Sequence, residues 1–254
     1  MSEEVLVQVA DGVIEVTINQ PEAKNAMSKA AAEGISAAMD RLETENDLRC
    51  AIITGAGGTF CSGMDLKGFL RGEMPVAGDR GFGALTSWTP KKPVIAAVDG
   101  FAYAGGMELA LACDLRVVSE TTTLGLAEVK RGLIPAAGGI ARASRQLGWA
   151  AAAEILLVGD QISAAEAFRI GLVNRVVAAD AVLPTAQALA EKMAQNSPLA
   201  MRKAKEAMIG SSGRPLEDAF GVEDQCIKVV LRSQDAREGS RAFMEKRKPD
   251  FTGT

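Results

Sequence analysis

Residues 94–139 read VIAAVDGFAYAGGMELALACDLRVVSETTTLGLAEVKRGLIPAAGG, and this stretch decides the expected fold of the chain. The apolar run at 94–98 predicts a buried strand, a glycine-interrupted turn is expected over 100–106, and a helix is predicted over 107–113. The first N–H groups of a helix have no intrahelical acceptor, and the helix dipole adds partial positive charge there. This order of elements therefore predicts an anion site built from backbone N–H groups.

Two glutamates accompany that predicted site. Glu108 falls in the first turn of the helix, and Glu128 follows in the loop-like segment LAEVKRG. Glu108 by itself is also what helix N-termini favour, and Glu128 by itself resembles a solvated loop residue. Together, two carboxylates near a pocket of backbone donors indicate proton transfer beside a stabilised oxyanion.

The composition bounds what else the chain can be. Its 254 residues are 48% hydrophobic and 24% charged, which is typical of one large globular domain or of a domain with an appendage. No apolar run approaches the roughly 20 residues of a membrane span, and the N-terminus lacks the pattern of a secretory signal, so we expect a cytoplasmic protein that does not bind membranes. The four cysteines are scattered without C-x-x-C spacing, which predicts reduced thiols and no zinc site.

Histidine is absent from the sequence. Its absence excludes Ser-His-Asp and Cys-His nucleophile arrangements, imidazole bases and histidine-ligated metals. The formal net charge of −4 gives no basic footprint for nucleic acid. We therefore expect carboxylates, lysines, tyrosine, cysteines and the backbone to carry the chemistry, without a metal ion or a nucleic-acid partner.

Signals before the central stretch are local and specific. Asp11-Gly12 predicts a hairpin between two β-rich runs, and Ser28 is placed to cap a helix that reaches about Glu45. The glycine-rich residues 72–83 predict a mobile lid or pocket-edge loop. The remaining predicted elements before residue 180 are strands at 50–54, 114–118 and 172–177, and helices at 66–70, 138–147, 149–158 and from a capping box at Ser163.

The central stretch has an internal echo. ITGAGGTFCSGMDL, residues 53–66, and VDGFAYAGGMELAL, residues 98–111, each contain a glycine, an aromatic residue and then Gly-Met-acid-Leu. The glycine spacings differ between the two copies. The echo predicts repeated strand-turn-helix units rather than a single doubly wound sheet.

From about residue 180 the sequence predicts only helices. One apolar face is expected over Val182, Ala186, Leu189, Ala190 and Met193, another over Leu216, Phe220, Ile227, Val230 and Leu231, and helix starts at Ser197-Pro198 and Asp235. We expect residues 1–195 to form the core with the site and residues 196–254 to form a C-terminal helical region. Because so much apolar face must pack on the body of the chain or on a neighbouring subunit, we expect a homo-oligomer.

Ordered blocks along nearly the whole chain resemble the enoyl-CoA hydratase/isomerase (crotonase) superfamily. The blocks that carry the resemblance are PEAKNAMS (21–28), GTFCSGMDL (58–66), KPVIAAVDGFAYAGGMELALACD (92–114), EVKRGLIPAAGG (128–139), GDQISAAEAFRIGLVNRVV (159–177) and EGSRAFMEKRKPDF (238–251). The resemblance implies an α/β fold of ββα units wound into a superhelical spiral. It also implies C-terminal helices that build trimers, often paired as hexamers, and an acyl-CoA thioester substrate.

The resemblance also implies residue roles. The oxyanion hole would be the backbone N–H groups of Met64 and Gly105, and the catalytic carboxylates would be Glu108 and Glu128. The positions implied to bind the substrate and its coenzyme A are Lys24, Ala26, Ser62, Met64, Asp65, Leu66, Lys67 and Gly105. The implied reaction is reversible syn addition of water to a trans-2-enoyl-CoA, giving a 3-hydroxyacyl-CoA, with no metal or redox cofactor.

Three alternatives remain open on the same scaffold. The run SGMDLKGFLRGEMPVAGDRGFGALT is similar to the carnitinyl-CoA dehydratase branch, an isomerase can work with the carboxylate at Glu128 alone, and a relative could bind acyl-CoA without catalysis. Asp65 is expected chiefly to cap the helix after it. The cations that could meet coenzyme A phosphates are Lys24, Lys67, Arg71, Lys246 and Lys248.

This chain also departs from the family pattern at the site. Met64 stands where alanine is more usual, Ala104 where glycine is frequent and Ala127 where proline often precedes the glutamate. None of these changes removes a predicted donor or carboxylate. They bear on the shape of the pocket, and hence on the acyl preference.

Overall fold

The computed structural model describes residues 4–254. Its strands are β1 (Val5–Ala10), β2 (Val13–Ile18), β3 (Cys50–Gly55), β4 (Val94–Val98), β5 (Phe101–Tyr103), β6 (Leu115–Ser119), β7 (Thr123–Gly125), β8 (Ile162–Ser163) and β9 (Arg175–Val177). Its α-helices are α1 (Lys29–Thr44), α2 (Leu66–Leu70), α3 (Gly105–Ala112), α4 (Gly139–Gln146), α5 (Trp149–Ala153), α6 (Ala164–Arg169), α7 (Val182–Ala194), α8 (Pro198–Ser211), α9 (Leu216–Leu231) and α10 (Gln234–Glu245).

The strands form two sheets, and the chain alternates between them. The large sheet has the order β1-β2-β3-β4-β6-β9 and is parallel except for the β1-β2 hairpin, whereas the small sheet has the order β5-β7-β8. After β4 the chain enters the small sheet as β5, and after β6 it enters as β7. The expected spiral of repeated units is thereby confirmed.

The internal echo is a real structural repeat. Cys61 in the first copy forms a parallel bridge with Ala102 in the second, and Met27 forms a parallel bridge with Met64. Consecutive turns of the spiral thus stack in register beside the small sheet. This stacking brings the two Gly-Met-acid-Leu segments to one side of the molecule.

Apolar side chains fill both faces of the large sheet. Strand β4 is buried along its whole length. One face packs against α1 through residues such as Ile35 and Met39, and the other packs against α7 through Val182 and Ala186. The predicted stripe of α7 is therefore confirmed, and burial on both faces explains why the central strands are continuous apolar runs.

Several local predictions are also confirmed. The hairpin turn has positive φ at Asp11 (49°) and Gly12 (78°), as a two-residue turn of this kind requires. Ser28, Ser163 and Ser197 each cap a helix, accepting a hydrogen bond from the backbone N–H three residues on. Each such cap contributes about 1 kcal/mol to helix stability.

Other predictions were wrong in detail. The stretch expected as a turn over 100–106 contains strand β5, and α3 begins at Gly105 rather than at residue 107. Strands β7 and β8 were not predicted, and α5 ends at Ala153, where a π-helical turn over 154–158 follows. These strands are two or three residues long, so pairing with a distant partner, which no local pattern encodes, decides them.

The last helix begins at a different residue from the one predicted. Ser233, not Asp235, caps α10. Asp235 is buried and instead accepts hydrogen bonds from the Ser197 hydroxyl and from the backbone N–H groups of Thr252 and Gly253. Its carboxylate therefore joins α8, α10 and the end of the chain.

The C-terminal helices join the core through an ion pair between a buried lysine and a partly exposed aspartate. Lys205 of α8 donates to Asp114 at 2.6 Å and to the carbonyl of Lys92 at 3.0 Å. Asp114 in turn accepts from the N–H of Val94, the first residue of β4. Large apolar side chains on α9 nevertheless remain exposed, among them Leu216, Phe220 and Leu231. Across residues 4–254, none of the helices combines the length and apolar character of a membrane span.

Candidate active site

Two loops from consecutive turns of the spiral meet at the start of α3. Cys61 donates its N–H to Phe101 and accepts from the N–H of Tyr103, at 3.3 and 3.1 Å. Continuing that register by three residues places Met64 beside Gly105. A Cβ added at Gly63 would lie 3.6 Å from the backbone nitrogen of Gly105, which confirms how closely the two loops approach.

The backbone amides of Met64 and Gly105 are both free to bind a ligand. Gly105 is the first residue of α3, so its N–H has no intrahelical acceptor. In the part of the chain that the structure describes, neither the Met64 nor the Gly105 N–H donates to a protein acceptor. Met64 is held from both sides, because Met27 donates to Gly63 at 2.7 Å and accepts from Asp65 at 3.0 Å.

Glycines and one strained alanine make this approach feasible. A Cβ at Gly106 would lie 2.2 Å from the carbonyl oxygen of Cys61, so only glycine fits there. Gly63 has a φ of 106° and Ala104 a φ of 48°, which are conformations that side-chain-bearing residues rarely adopt. Ala104 therefore carries backbone strain at the site itself.

Glu108 is buried and is held by a segment distant in sequence. Its Oε1 accepts from the N–H groups of Ala137 and Gly139, at 2.7 and 2.9 Å. Burial raises the pKa of this carboxyl, the two backbone hydrogen bonds and Arg142 oppose the rise, and the charge of Glu128 adds to it. Within residues 4–254, Oε2 makes no hydrogen bond, so it is available to a small molecule.

Glu128 opens a short 3-10 turn over Glu128–Arg131. Its Oε2 is buried and has no hydrogen-bond partner among the described residues. Burial raises the pKa of the carboxyl, against the effects of its own backbone N–H and of Arg131. A buried carboxylate oxygen without a donor favours the protonated form, which makes Glu128 suited to hold a proton.

A single segment connects the two carboxylates. Glu128 begins the segment 128–139, and Ala137 and Gly139, whose amides hold Glu108, end it. Within it, Leu133 donates its N–H to the carbonyl of Glu128 at 3.1 Å. Glu108 lies three residues after Gly105 on α3, and the charge of Glu128 acts on Glu108, so the two glutamates are near neighbours at this end of the helix.

The residues expected to bind coenzyme A lie along one edge of these loops. Lys24 adopts a left-handed conformation, and its carbonyl accepts from the N–H of Ser62 at 3.2 Å, so the segment around Ala26 borders the 62–67 segment. Leu66 is exposed, as is Lys67.

The capping role of Asp65 is confirmed. Its two carboxylate oxygens accept from the N–H groups of Lys67 and Gly68, at 3.0 and 3.1 Å. Lys246 lies at the end of α10, and within residues 4–254 neither Lys246 nor Lys248 forms an ion pair with an acidic side chain. Their contact with coenzyme A phosphates stays a prediction.

The other reactive side chains near the site are engaged elsewhere. The hydroxyl of Tyr103 hydrogen-bonds with that of Thr123, and its ring stacks on Phe101. Cys61 is buried, which raises the pKa of its thiol to about 12 and makes it a poor nucleophile at neutral pH. All four cysteines are unpaired and buried.

Two neighbours of the site were missed by sequence reasoning. The ring of Phe82 points at Gly105, and Arg142 donates to the carbonyl of Thr86 at 2.9 Å while its charge acts on Glu108. The prediction of a pocket-edge loop over 72–83 places Phe82 correctly in general terms. No spacing or pattern marks Phe82 or Arg142 individually, since each reaches the site only through tertiary packing.

Comparison with known proteins gives a consistent result. The sequence model of the enoyl-CoA hydratase/isomerase family matches residues 8–254. The chain is 38% identical to a carnitinyl-CoA dehydratase of Proteus mirabilis, covering all of both chains. It is 39% identical to enoyl-CoA hydratase EchA19 of Mycobacterium tuberculosis, covering 93% of this chain and 91% of that one. The crystal structure of enoyl-CoA hydratase EchA1 from Mycobacterium marinum superimposes with a TM-score of 0.96 at 45% identity over the whole of both chains.

Proposed function

The chain belongs to the enoyl-CoA hydratase/isomerase family, and we propose that it is an enoyl-CoA hydratase that reversibly adds water to a trans-2-enoyl-CoA. The observation that carries this proposal is the conjunction of two free backbone amides with two partly buried glutamates. Addition of water to the double bond builds negative charge on the thioester oxygen. The Met64 and Gly105 amides donate hydrogen bonds to the oxygen that carries this charge. One such donor lowers the activation barrier by about 3 kcal/mol or more.

The two glutamates divide the proton transfers. The water oxygen bonds to C3 as Glu108 takes a proton from the water, and the electron pair of the double bond moves toward the thioester oxygen. Glu128, whose pKa burial raises, then supplies a proton to C2 as the carbonyl reforms. The steps move only protons and electron pairs, so the proposed reaction needs no redox cofactor, and we propose that the two backbone amides rather than a metal ion stabilise the charge on the thioester oxygen.

The edge formed by Lys24, Ala26 and the 62–67 segment is the proposed site for coenzyme A. Backbone carbonyl and amide groups there suit the adenine and the pantetheine amide, and Lys67 suits a phosphate. We further propose a homotrimer or hexamer, because large apolar side chains of α9 stay exposed within residues 4–254. Light scattering after size exclusion tests the assembly. The unpaired cysteines support a cytoplasmic location.

The test of function is spectrophotometric. But-2-enoyl-CoA and longer enoyl thioesters should lose their conjugated-thioester absorbance with the purified protein, and Glu128→Gln should abolish this loss without abolishing coenzyme A binding. Failure of the wild type to hydrate any chain length, with coenzyme A still bound, would contradict the proposal. That result would favour a binding protein without catalysis.

A second candidate reaction is dehydration of carnitinyl-CoA. It is favoured by the full-length similarity to the Proteus mirabilis dehydratase. The same amides and glutamates would serve, because elimination of water is the reverse of addition. Comparing kcat/KM for carnitinyl-CoA and for 3-hydroxybutanoyl-CoA separates the two reactions. Migration of the double bond in a 3-enoyl-CoA would instead identify an isomerase.

A further inference from the structure

The ring of Phe82 occupies the space beside the amide of Gly105. A Cβ added at Gly105 would lie 2.5 Å from Cζ of Phe82 and 2.8 Å from both Cε atoms. The nearly equal distances show that the tip of the ring points at the glycine. Glycine at 105 and phenylalanine at 82 therefore fit each other, and the ring fills the volume that any side chain at 105 would take.

This position lies next to the proposed reaction centre. Side chains of a helix lean toward its N-terminus, so the ring lies on the side to which the free N–H of Gly105 points. Since a Cβ is about 2.5 Å from the nitrogen of its own residue, the ring tip is within about 5 Å of that nitrogen. Glu108, three residues on, shares the same face of α3.

The ring is held in place by its loop. Gly81 and Gly83 flank Phe82 with φ values of 75° and 55°, and Val76 pairs with Phe82 in an antiparallel bridge. Arg80 donates to the carbonyl and hydroxyl of Ser36 at 3.0 and 3.1 Å, pairs with Asp40 and lies over the ring of Trp88 at 4.1 Å. These contacts hold the loop, and Phe82 with it, in one position beside Gly105.

We infer that Phe82 determines how much substitution the enzyme tolerates at the α-carbon of the acyl group. The inference rests on the proposed function, which puts the thioester oxygen on the Gly105 amide. An oxygen about 2.9 Å from that nitrogen places the carbonyl carbon and the α-carbon about 4 to 5 Å from it, which is also the distance of the ring tip on that side of Gly105. A methyl group on the α-carbon competes with the ring for space, whereas carbons farther along a straight tail lie beyond it.

The experiment uses saturated thioesters, so that binding is measured without turnover. Calorimetry with butanoyl-CoA and 2-methylbutanoyl-CoA should show the wild type preferring the straight chain by at least tenfold. Phe82→Ala should reduce that preference by about tenfold, and Arg80→Ala, which frees the loop, should reduce it less. Phe168→Ala, which removes a half-exposed ring from α6, is the matched control and should keep the wild-type preference.

Three results would overturn the inference. The first is a wild type that binds both thioesters equally. The second is a preference in Phe82→Ala that stays within twofold of the wild-type preference. The third is a gain in affinity of Phe82→Ala for decanoyl-CoA that equals its gain for 2-methylbutanoyl-CoA. Phe82→Leu is measured alongside and replaces Phe82→Ala if that variant fails to melt cooperatively. If the wild type hydrates enoyl-CoA but the variants keep its selectivity, only the role of Phe82 is rejected. If the variants change the selectivity but the wild type hydrates no enoyl-CoA, only the hydratase proposal is rejected.

Discussion

The two strand-glycine-helix units at residues 50–70 and 94–112 carry the same Gly-Met-acid-Leu signature and use its acid in opposite ways. Asp65 satisfies the start of its own helix, accepting from Lys67 and Gly68. Glu108 is buried and accepts from a distant segment, at Ala137 and Gly139. One acid therefore caps its own helix, whereas the other is held by a distant segment, where we propose that it acts on water.

The offset from the helix start explains the difference. Asp65 immediately precedes α2, where a short side chain reaches the N–H groups two and three residues on. Glu108 is the fourth residue of α3, because the second copy has two more residues between its aromatic residue and its acid. From there a longer side chain passes its own helix start. A shared tetrapeptide thus fixes neither role until the helix boundary is known.

The largest expected effect is on enzymatic activity, which substitution of Glu108 should reduce far more than substitution of Asp65. Glu108→Gln keeps the acceptor for Ala137 and Gly139 but removes the base, so kcat should fall about a thousandfold. Asp65→Ala removes only a helix cap and should change kcat less than tenfold. Initial rates with but-2-enoyl-CoA check both, and equal losses in the two variants would contradict the distinction.

Substitutions at Glu108 and Asp65 should change the stability of the fold in opposite directions. Burial raises the pKa of Glu108 above its ordinary value of 4.5, so the folded state binds a proton more tightly than the unfolded state and stability falls as pH rises through that range. Glu108→Gln removes this cost and should raise Tm at pH 7 to 8. The gain should shrink toward zero near pH 4, where the carboxyl is protonated in both states.

Asp65→Ala should instead lower stability by about 1 kcal/mol at neutral pH, through loss of the cap. Thermal melts followed by circular dichroism from pH 4 to 8 measure both variants. A Tm for Glu108→Gln below that of wild type at pH 7 would show that the carboxylate, despite its burial, stabilises the fold.

The smallest effect concerns the turns before the two helices. Gly63 and Ala104 both have positive φ, but only the second copy places a side chain there. Ala104→Gly should relieve strain and raise the free energy of unfolding by about 1 kcal/mol, because the conformation costs glycine little. Urea unfolding measures the change. Gly63→Ala, the reciprocal variant, should be destabilised, and a gain in stability there would contradict this account.

Much of this molecule could be predicted from local signals. The hairpin at Asp11-Gly12, the cap at Ser28 and the buried strand β4 depend on neighbouring residues alone, and each is found where expected. The shared pattern of the two copies predicted repeated strand-turn-helix units, and the structure adds that these units stack. The glycine turn entering a helix predicted free N–H groups beside Glu108, whereas the choice of the Gly105 amide among them came from the family resemblance.

The rest depends on contacts between distant residues. Strand β5 forms because residues 101–103 pair with β7, and α3 begins two residues after that strand ends. Neither the hydrogen bonds from Ala137 and Gly139 to Glu108 nor the ring of Phe82 against Gly105 has a counterpart in local sequence. Such features appear only when three or four loops converge in space.

The amides of Met64 and Gly105 come from consecutive turns of the spiral and are held together by a few hydrogen bonds between backbones. A transient separation of those turns would disperse the pair while the large sheet kept its ladder intact. Turnover would therefore disappear at denaturant concentrations that leave the far-ultraviolet circular dichroism spectrum unchanged. Catalytic activity would then report local unfolding at the site more sensitively than the secondary-structure content does.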